Sequence, residues 1–183
     1  MATRIVRLTD AERKRMIEEY GKEIEERDFK GIRIYADGGC SGNPGPGGYG
    51  AVLIKQDGEV KEVSGSEHFT TNQKMELTAV IEALRTLNLS KPTPLMIVSD
   101  SQYVINGCMK WMWTWAKFNW KKAGGGKVQN QDLWEKLYTL VKPHYEHLRC
   151  LWKKGHNGHT ELERCHALAQ RGTHSYNDGF IEE

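Results

Sequence analysis

The stretch "YADGGCSGNPGPGGYGAVL", residues 35–53, places seven glycines and two prolines behind a single acidic residue, Asp37. Glycine loses more conformational freedom on folding than any other residue, so a stretch this rich in glycine needs a structural or functional explanation. The preceding "IRIYAD" alternates and then ends in the acid, which predicts a β-strand with Asp37 at its end. One interpretation of the glycines behind Asp37 is a turn without chemistry. The other is a turn thin enough for a polymer to lie against, beside a carboxylate at a reaction centre.

The chain from Gly31 onwards alternates between strand-like and helix-like patterns. "GYGAVLIK" and "VKEVSGSEHF" follow at hairpin spacing, with the turn signal Asp57-Gly58 between them. The later segments are, in order, a helix "TTNQKMELTAVIEALRTLNL", a strand "PLMIVSD", a helix "SQYVINGCM", a helix over about 130–142, a strand "HLRCLWKK" and a helix "TELERCHALAQRGTH". This order predicts an α/β (α+β) fold, a mixed sheet with helices packed on it.

The chain of 183 residues has the size of one domain with an appendage. Alternating acids and bases predict a charged, solvated helix over residues 9–30. We therefore expect an N-terminal helical extension, 1–30, and a main domain, 31–183. No apolar run approaches the roughly 18 residues of a membrane span, and the N-terminus lacks the pattern of a signal peptide. Four scattered cysteines without a CxxC pair are typical of reduced thiols, so we expect a cytoplasmic protein.

Three acidic residues stand at positions that packing explains poorly. Asp37 and Asp100 each close a predicted strand, and Glu76 lies in the first turns of the first long helix. Burying an unpaired carboxylate is costly, although Asp100 before "SQYV" is equally explained as a helix N-cap. Strand ends and a helix start can bring the three together, and such oxygen ligands suit Mg²⁺ or Mn²⁺. Two such ions can activate a water and stabilise the leaving oxygen of a phosphodiester.

Several motifs together resemble bacterial-type ribonuclease HI over about residues 32–170. They are, in order, "YADGGCSGNPGPGGYGAVL", "TTNQKMELTAVIEAL", "VSDSQYVINGC", "NQDLWEKL" and "KKGHNGHTELERC". The resemblance implies a ribonuclease H-like fold, a five-stranded mixed sheet (three antiparallel strands, then two more) flanked by helices. It implies a monomeric endonuclease that hydrolyses the RNA strand of RNA–DNA hybrids with two Mg²⁺ ions, or Mn²⁺ in their place. Cleavage would be largely independent of sequence and leave 5′-phosphate and 3′-hydroxyl ends.

The resemblance also implies roles for the acids and for one histidine. Asp37 corresponds to the carboxylate that bridges both metal ions, and Glu76 and Asp100 to further metal ligands. Glu76 would also approach the RNA 2′-hydroxyl beside the scissile phosphate. His156, the first histidine of "KGHNGH", resembles a mobile histidine that helps to move protons or to release product.

A second set of positions resembles the family's contacts to the hybrid. A thin glycine turn behind the first strand would let Cys40 and Asn43 reach the minor groove, where 2′-hydroxyls distinguish RNA. Thr71 and Asn72 resemble part of a DNA-phosphate pocket, and Gln102 resembles a minor-groove contact. Phosphate contacts position a duplex without reading its sequence.

Residues 110–127, "KWMWTWAKFNWKKAGGGK", carry five lysines and no acid, and they resemble the family's basic protrusion. Lysines here would follow phosphates, with an affinity that falls as salt rises. Trp120 is the aromatic residue expected to touch a DNA sugar. The spacing of Trp111 and Trp115, one helical turn apart, is equally explained by packing. The candidate nucleic-acid contacts in this protrusion are Trp111, Lys117, Trp120, Lys121 and Lys122.

The final helix departs from the family's pattern at His166. The family usually has a fourth metal-binding aspartate directly after "ERC", whereas this chain reads "LERCHALAQ". We expect His166 to be a substitute ligand in an active enzyme that is slower and relatively better with Mn²⁺. One alternative is a catalytically impaired protein that binds hybrids. Another is a zinc site of His156, His159, Cys165 and His166, which is disfavoured because neighbouring helix residues point in different directions.

The start of this helix carries a capping signal as well. Thr160 and Glu163 have capping-box spacing, which predicts that Thr160 caps the helix, and His159 is interpreted as structural. The candidate catalytic residues are therefore Asp37, Glu76, Asp100, His156 and His166, and the candidate metal ligands are the same set without His156.

Overall fold

The computed structural model describes residues 26–177. The chain divides into two compact units, Met1–Lys30 and Gly31–Glu183. Of the first unit only residues 26–30 are described, and Glu26–Asp28 form a 3-10 turn there, not the end of an α-helix. The rest of the charged helix predicted over 9–30 lies outside the described residues. The functional division into an extension and a main domain stays a prediction.

Three antiparallel strands open the second unit, as the hairpin spacing predicts. They are β1 (Ile32–Cys40), β2 (Gly45–Ile54) and β3 (Val60–Thr70). The turn between β2 and β3 forms at the Asp-Gly signal, where the amide of Gly58 donates to the carbonyl of Lys55 at 3.0 Å. Gly58 has φ +88°, a left-handed conformation that favours glycine.

The later elements confirm the predicted alternation of helices and strands. They are α1 (Asn72–Arg85), β4 (Leu95–Ser99), α2 (Gln102–Asn106), a π-helical turn (Gly107–Trp111), α3 (Met112–Lys117), α4 (Gln131–Val141), a 3-10 helix (Lys142–His147), β5 (Leu148–Trp152) and α5 (Thr160–Asn177). Among the described residues, no helix combines the length and apolar character that crossing a membrane requires.

The sheet has the order β3-β2-β1-β4-β5. β1 and β2 pair antiparallel, as do β2 and β3, whereas β4 runs parallel to both β1 and β5. Tyr35 of β1 is in register with Val98 of β4. Asp37 and Asp100 each follow two residues later, so the parallel pairing brings both acids to the same edge of the sheet. The predicted five-stranded mixed sheet is confirmed.

Close approach of helices to the sheet positions the rest of this edge. A Cβ on Gly38 would lie 2.3 Å from the carbonyl carbon of Met75, so β1 passes directly against the start of α1. Gly50 pairs with Asp37 across the sheet, and a Cβ there would lie 2.5 Å from the carbonyl oxygen of Cys165. The glycines beside Asp37 therefore allow α1 and α5 to pack close to this acid.

Candidate active site

Asp37 and His166 form a hydrogen-bonded pair at the end of β1. Nδ1 of His166 lies 2.9 Å from Oδ2 of Asp37, and because a carboxylate accepts, the ring nitrogen donates. The amide of Gly38 donates to Oδ1 of Asp37 at 2.8 Å. The Asp37 side chain is only 13% exposed, compared with 39% for His166. Both oxygens of a largely buried carboxylate thus have a donor, and one donor comes from α5.

Asp100 stands beside this pair, directly after β4. Its partial burial raises the pKa of its carboxyl group, and the charge of Asp37 raises it further, while His156 and His166 oppose the shift. A Cβ on Gly155 would lie 2.3 Å from Oδ2 of Asp100, so only glycine fits there without displacing the carboxylate. The acid is therefore enclosed by backbone on one side.

Glu76 comes to the same place from the second turn of α1. Burial raises the pKa of its carboxyl group to about 7, the charges of Asp37 and Asp100 add to the shift, and a hydrogen bond from Ser101 opposes it. The Ser101 hydroxyl donates to Oε2 of Glu76 at 2.7 Å. The structure therefore brings the three sequence-predicted acids close enough to act on each other's ionisation.

His156 lies next to His166 on the open side of the acids. The two imidazole rings are 4.7 Å apart between centroids and almost perpendicular, at 86°. His156 has φ +53°, a conformation that non-glycine residues rarely adopt. A cleft at this point is lined by Asp37, Asp100, Lys154, Gly155, His156, His159, Leu162, Glu163 and His166.

The donor set fits a hard divalent cation in its chemistry. Burial and the charge of Asp37 raise the pKa of both Glu76 and Asp100, which indicates a concentration of negative charge that a cation relieves. Within residues 26–177, no three or more His, Cys, Asp or Glu side chains already form a metal-holding group. One oxygen of Asp37 accepts a hydrogen bond from the imidazole of His166.

In the part of the chain that the structure describes, the alternative zinc site has no support, because Cys165 and His166 lie in different environments. Cys165 is fully buried, and burial raises the pKa of its thiol well above the ordinary value, which opposes the thiolate that zinc needs. His166, the next residue of α5, faces the cleft instead.

His159 accepts a hydrogen bond from the amide of Leu162 at Nδ1, 3.3 Å. His159 therefore caps α5, which corrects the predicted cap at Thr160 and supports a structural role for His159.

The four residues predicted to contact the hybrid near α1 lie together. Oδ1 of Asn72 accepts from the amide of Cys40 at 2.8 Å, and Oδ1 of Asn43 accepts from the amide of Asn72 at 3.2 Å. Thr71 caps α1, since its hydroxyl accepts from the amide of Lys74 at 3.3 Å. These hydrogen bonds join the β1–β2 turn to the start of the helix and form one continuous polar surface.

The lysine-rich segment, residues 110–127, contains α3 and continues into an exposed turn. Its lysines at 117, 121 and 122 are exposed, and Lys121 and Lys127 pair across a turn whose tip holds Gly124 and Gly125 at positive φ. Gln102, the first residue of α2, is also exposed. The surface chemistry here matches the predicted basic protrusion.

Trp111 and Trp120, the two aromatic residues of the segment predicted to contact the hybrid, are half-buried. The ring of Trp120 packs edge-on against Tyr138, 5.8 Å between centroids, and belongs to the rim of the core. Trp111 is half-buried, with its ring 6.1 Å from those of both Trp115 and Tyr103. Packing therefore accounts for Trp111 and for most of the Trp120 ring.

Sequence reasoning missed Ser101 and Gly155, which touch the acids directly. Ser101 contacts Glu76, which lies 25 positions earlier in the chain, and Gly155 contacts Asp100 from the loop after β5. Trp152 also donates from Nε1 to the carbonyl of Asp100 at 2.8 Å. The only available signal was the position of Ser101 immediately after Asp100 and of Gly155 immediately before His156.

Comparison with known proteins places the chain in a family. The RNase H family model matches residues 30–174. Ribonuclease H of Cupriavidus pinatubonensis is 50% identical over 144 residues, which are 79% of this chain and 96% of the relative. Ribonuclease HI of Pasteurella multocida is 48% identical over 143 residues, 78% of this chain and 90% of the relative.

A solved structure shares the fold at a greater distance in sequence. LC9-RNase H1, described as a type 1 RNase H with the type 2 active-site motif, has a TM-score of 0.68 and 28% identity. The match covers 82% of this chain and 81% of that chain. On the family match and the two relatives, this chain belongs to the ribonuclease H family.

Proposed function

We propose that this chain is an endonuclease that hydrolyses the RNA strand of RNA–DNA hybrids. The observation that carries the proposal is the meeting of Asp37, Glu76 and Asp100 beside an open cleft, in a chain of the ribonuclease H family. Three mutually repelling acids raise the free energy of the fold, so their clustering points to a bound cation. Cleavage is expected to leave 5′-phosphate and 3′-hydroxyl ends.

The proposed cofactor is Mg²⁺, with Mn²⁺ as a substitute. The ribonuclease H family generally depends on divalent metal ions. In this chain the carboxylates of Asp37, Glu76 and Asp100, together with the imidazole of His166, would hold the cations. When bound, two such ions supply a hydroxide-like nucleophile and stabilise the leaving oxygen of the phosphodiester.

The protein's own groups prepare the site for this chemistry. The amide of Gly38 donates to Oδ1 of Asp37 and orients the carboxylate through that oxygen. His156, at the mouth of the cleft, can take up or release a proton at an imidazole nitrogen beside the reacting phosphate. The absence of a Cβ at Gly155 leaves room for the Asp100 carboxylate.

Two surfaces are proposed to bind the hybrid. The polar surface of Cys40, Asn43, Thr71 and Asn72 presents side-chain and backbone groups for 2′-hydroxyl and phosphate contacts. The exposed lysines of the protrusion add sequence-independent attraction to phosphates, which predicts binding that weakens as salt rises. Neither surface offers a code for base identity, so we expect little sequence preference.

A labelled RNA–DNA hybrid tests the proposal directly. We expect cleavage of the RNA strand that depends on Mg²⁺ or Mn²⁺, is stronger in Mn²⁺, and is abolished in Asp37→Asn. This control removes one charge while keeping the size of the side chain. An active Asp37→Asn protein, or wild-type cleavage in excess chelator, would contradict the proposed site.

A second candidate is a protein that binds hybrids and barely cuts them. The observation in its favour is the 2.9 Å hydrogen bond from His166, which occupies the Asp37 oxygen that a cation would use. Tight hybrid binding without cleavage at saturating Mg²⁺ and Mn²⁺ would establish this candidate over the first. We further propose that the protein is a monomer. Its four free cysteines support a reducing compartment such as the cytoplasm.

A further inference from the structure

Ser101 is held in one orientation by its backbone neighbours. Its side chain caps α2, because the hydroxyl accepts from the amide of Val104 at 3.2 Å. Its own amide donates to the hydroxyl of Ser99 at 3.1 Å. Only 7% of the residue is exposed. A serine fixed from both sides in this way has little freedom to change its rotamer.

The hydroxyl has one proton, and the structure leaves one place for it. Because the oxygen accepts from Val104, the proton is free for Oε2 of Glu76, 2.7 Å away. This distance is typical of a strong hydrogen bond to a carboxylate. The hydrogen bond therefore connects the Glu76 carboxylate on α1 to Ser101, the N-cap residue of α2, which directly follows Asp100.

We infer that Ser101 is a positioning residue that holds the Glu76 carboxylate in the orientation needed to bind the cation. The inference rests on the proposed function and extends it to a residue outside the ligand set. Ser101 is buried and would touch neither the cation nor the hybrid, so it acts only through Glu76. The same hydrogen bond also lowers the pKa of Glu76 against the larger effect of burial, which favours the ionised carboxylate.

Removing the hydroxyl should loosen Glu76 without touching the hybrid-binding surface. We expect Ser101→Ala to weaken Mg²⁺ binding to the free protein by about 10-fold or more, the usual effect of losing a partner that orients a metal ligand. In cleavage assays at fixed Mg²⁺, kcat should fall by a similar factor while KM for the hybrid changes less than about 2-fold. Ser101→Thr retains the hydroxyl and should restore both quantities.

Loss of the α2 cap is a structural effect that must be separated from positioning. Thr86→Ala is a control for a general loss of stability, since it removes a hydroxyl hydrogen bond of 2.8 Å, to the carbonyl of Ala83, at the far end of α1. Ten residues of helix separate Thr86 from Glu76, about 15 Å. We expect this control to lower Tm while leaving Mg²⁺ affinity and kcat at wild-type values.

Calorimetric titration of the free proteins with Mg²⁺ and Mn²⁺ gives a readout that does not depend on cleavage. If Ser101→Ala does not fold, Ser101→Gly takes its place, since glycine is tolerated at an N-cap. Wild-type cation affinity in the folded hydroxyl-free variant, or a Ser101→Thr protein as impaired as Ser101→Ala, would overturn the inference. A wild-type protein that binds Mg²⁺ but cuts no hybrid would overturn the proposed function and leave the titration as the test of Ser101.

Discussion

Replacing His166 with aspartate tests how the site is balanced between stability and cation binding. The substitution removes the hydrogen bond from Nδ1 to Oδ2 of Asp37 and puts a fourth carboxylate beside three others. We expect His166→Asp to lower the melting temperature of the metal-free protein and to raise Mg²⁺-supported cleavage. The two effects have opposite signs because the same negative charge repels its neighbours and attracts the cation.

The size of the loss can be worked from the geometry. A hydrogen bond to a charged group contributes about 1.5–3 kcal/mol. Repulsion between the new carboxylate and its neighbours adds about 1 kcal/mol, well below the unscreened value, because the position is 39% exposed. The sum is about 3 kcal/mol, which lowers Tm by about 6–12 °C in a chain of this length. With Mg²⁺ present, we expect half-maximal activity at an about 10-fold lower cation concentration.

Thermal unfolding in chelator and cleavage over a Mg²⁺ titration measure the two effects separately. His166→Asn is the matched control, since it has the shape of aspartate without its charge. We expect its metal-free Tm to stay closer to that of wild type and its activity to remain low. A rise in both Tm and activity for His166→Asp, or no change in either, would refute the reasoning.

Three further predictions concern the ionisation of Glu76, the space beside Asp100 and a buried hydrogen bond of Tyr103. Burial raises the pKa of Glu76 to about 7 from 4.5, so its contribution to metal-free stability is fully present below pH 4.5 and is lost as pH rises through 7. The free energy of unfolding should therefore fall by about 2–3 kcal/mol between pH 4.5 and 8. In urea unfolding, Glu76→Gln should reduce this dependence on pH. Gly155→Ala should reduce the cleavage rate by about an order of magnitude or more, because the added Cβ displaces the Asp100 carboxylate. Hybrid binding should be retained. An unchanged kcat would contradict this contact. Tyr103→Phe should lower the free energy of unfolding by about 1–3 kcal/mol, because it leaves the buried indole N–H of Trp134 without its acceptor. Calorimetry measures this change, and an unchanged Tm would show that the hydrogen bond does not stabilise the fold.

The fold was accessible from the sequence because its signals are local. The alternation before Asp37, the Asp-Gly turn at Gly58 and the helical period after Thr71 each depend on neighbouring residues only. The meeting of Asp37 with Asp100 was also accessible, because acids at the ends of parallel strands share an edge. Those strands pair in the register of Tyr35 with Val98.

What the sequence could not supply was contact between distant segments. Ser101 meets Glu76 through the packing of α2 on α1, which no spacing rule reveals. The capping-box spacing of Thr160 was misleading because Nδ1 of His159 accepts from the amide of Leu162 and caps the same helix. Trp120 is placed among lysines in the sequence, yet its ring is held at the edge of the core by Tyr138.

The pair of His166 and Asp37 links the stability of the free protein to its demand for metal. The charges of Asp37 and Asp100 raise the pKa of Glu76, and within this cluster the imidazole of His166 donates a hydrogen bond to Asp37. A cation that binds Asp37 must share or replace that hydrogen bond. The free energy that the hydrogen bond contributes therefore reduces the binding free energy of the cation. Any substitution at this position that stabilises the metal-free site by a donor to Asp37 should therefore weaken cation binding by a comparable amount. A single side chain thus sets both the melting temperature without metal and the metal concentration at which the enzyme works.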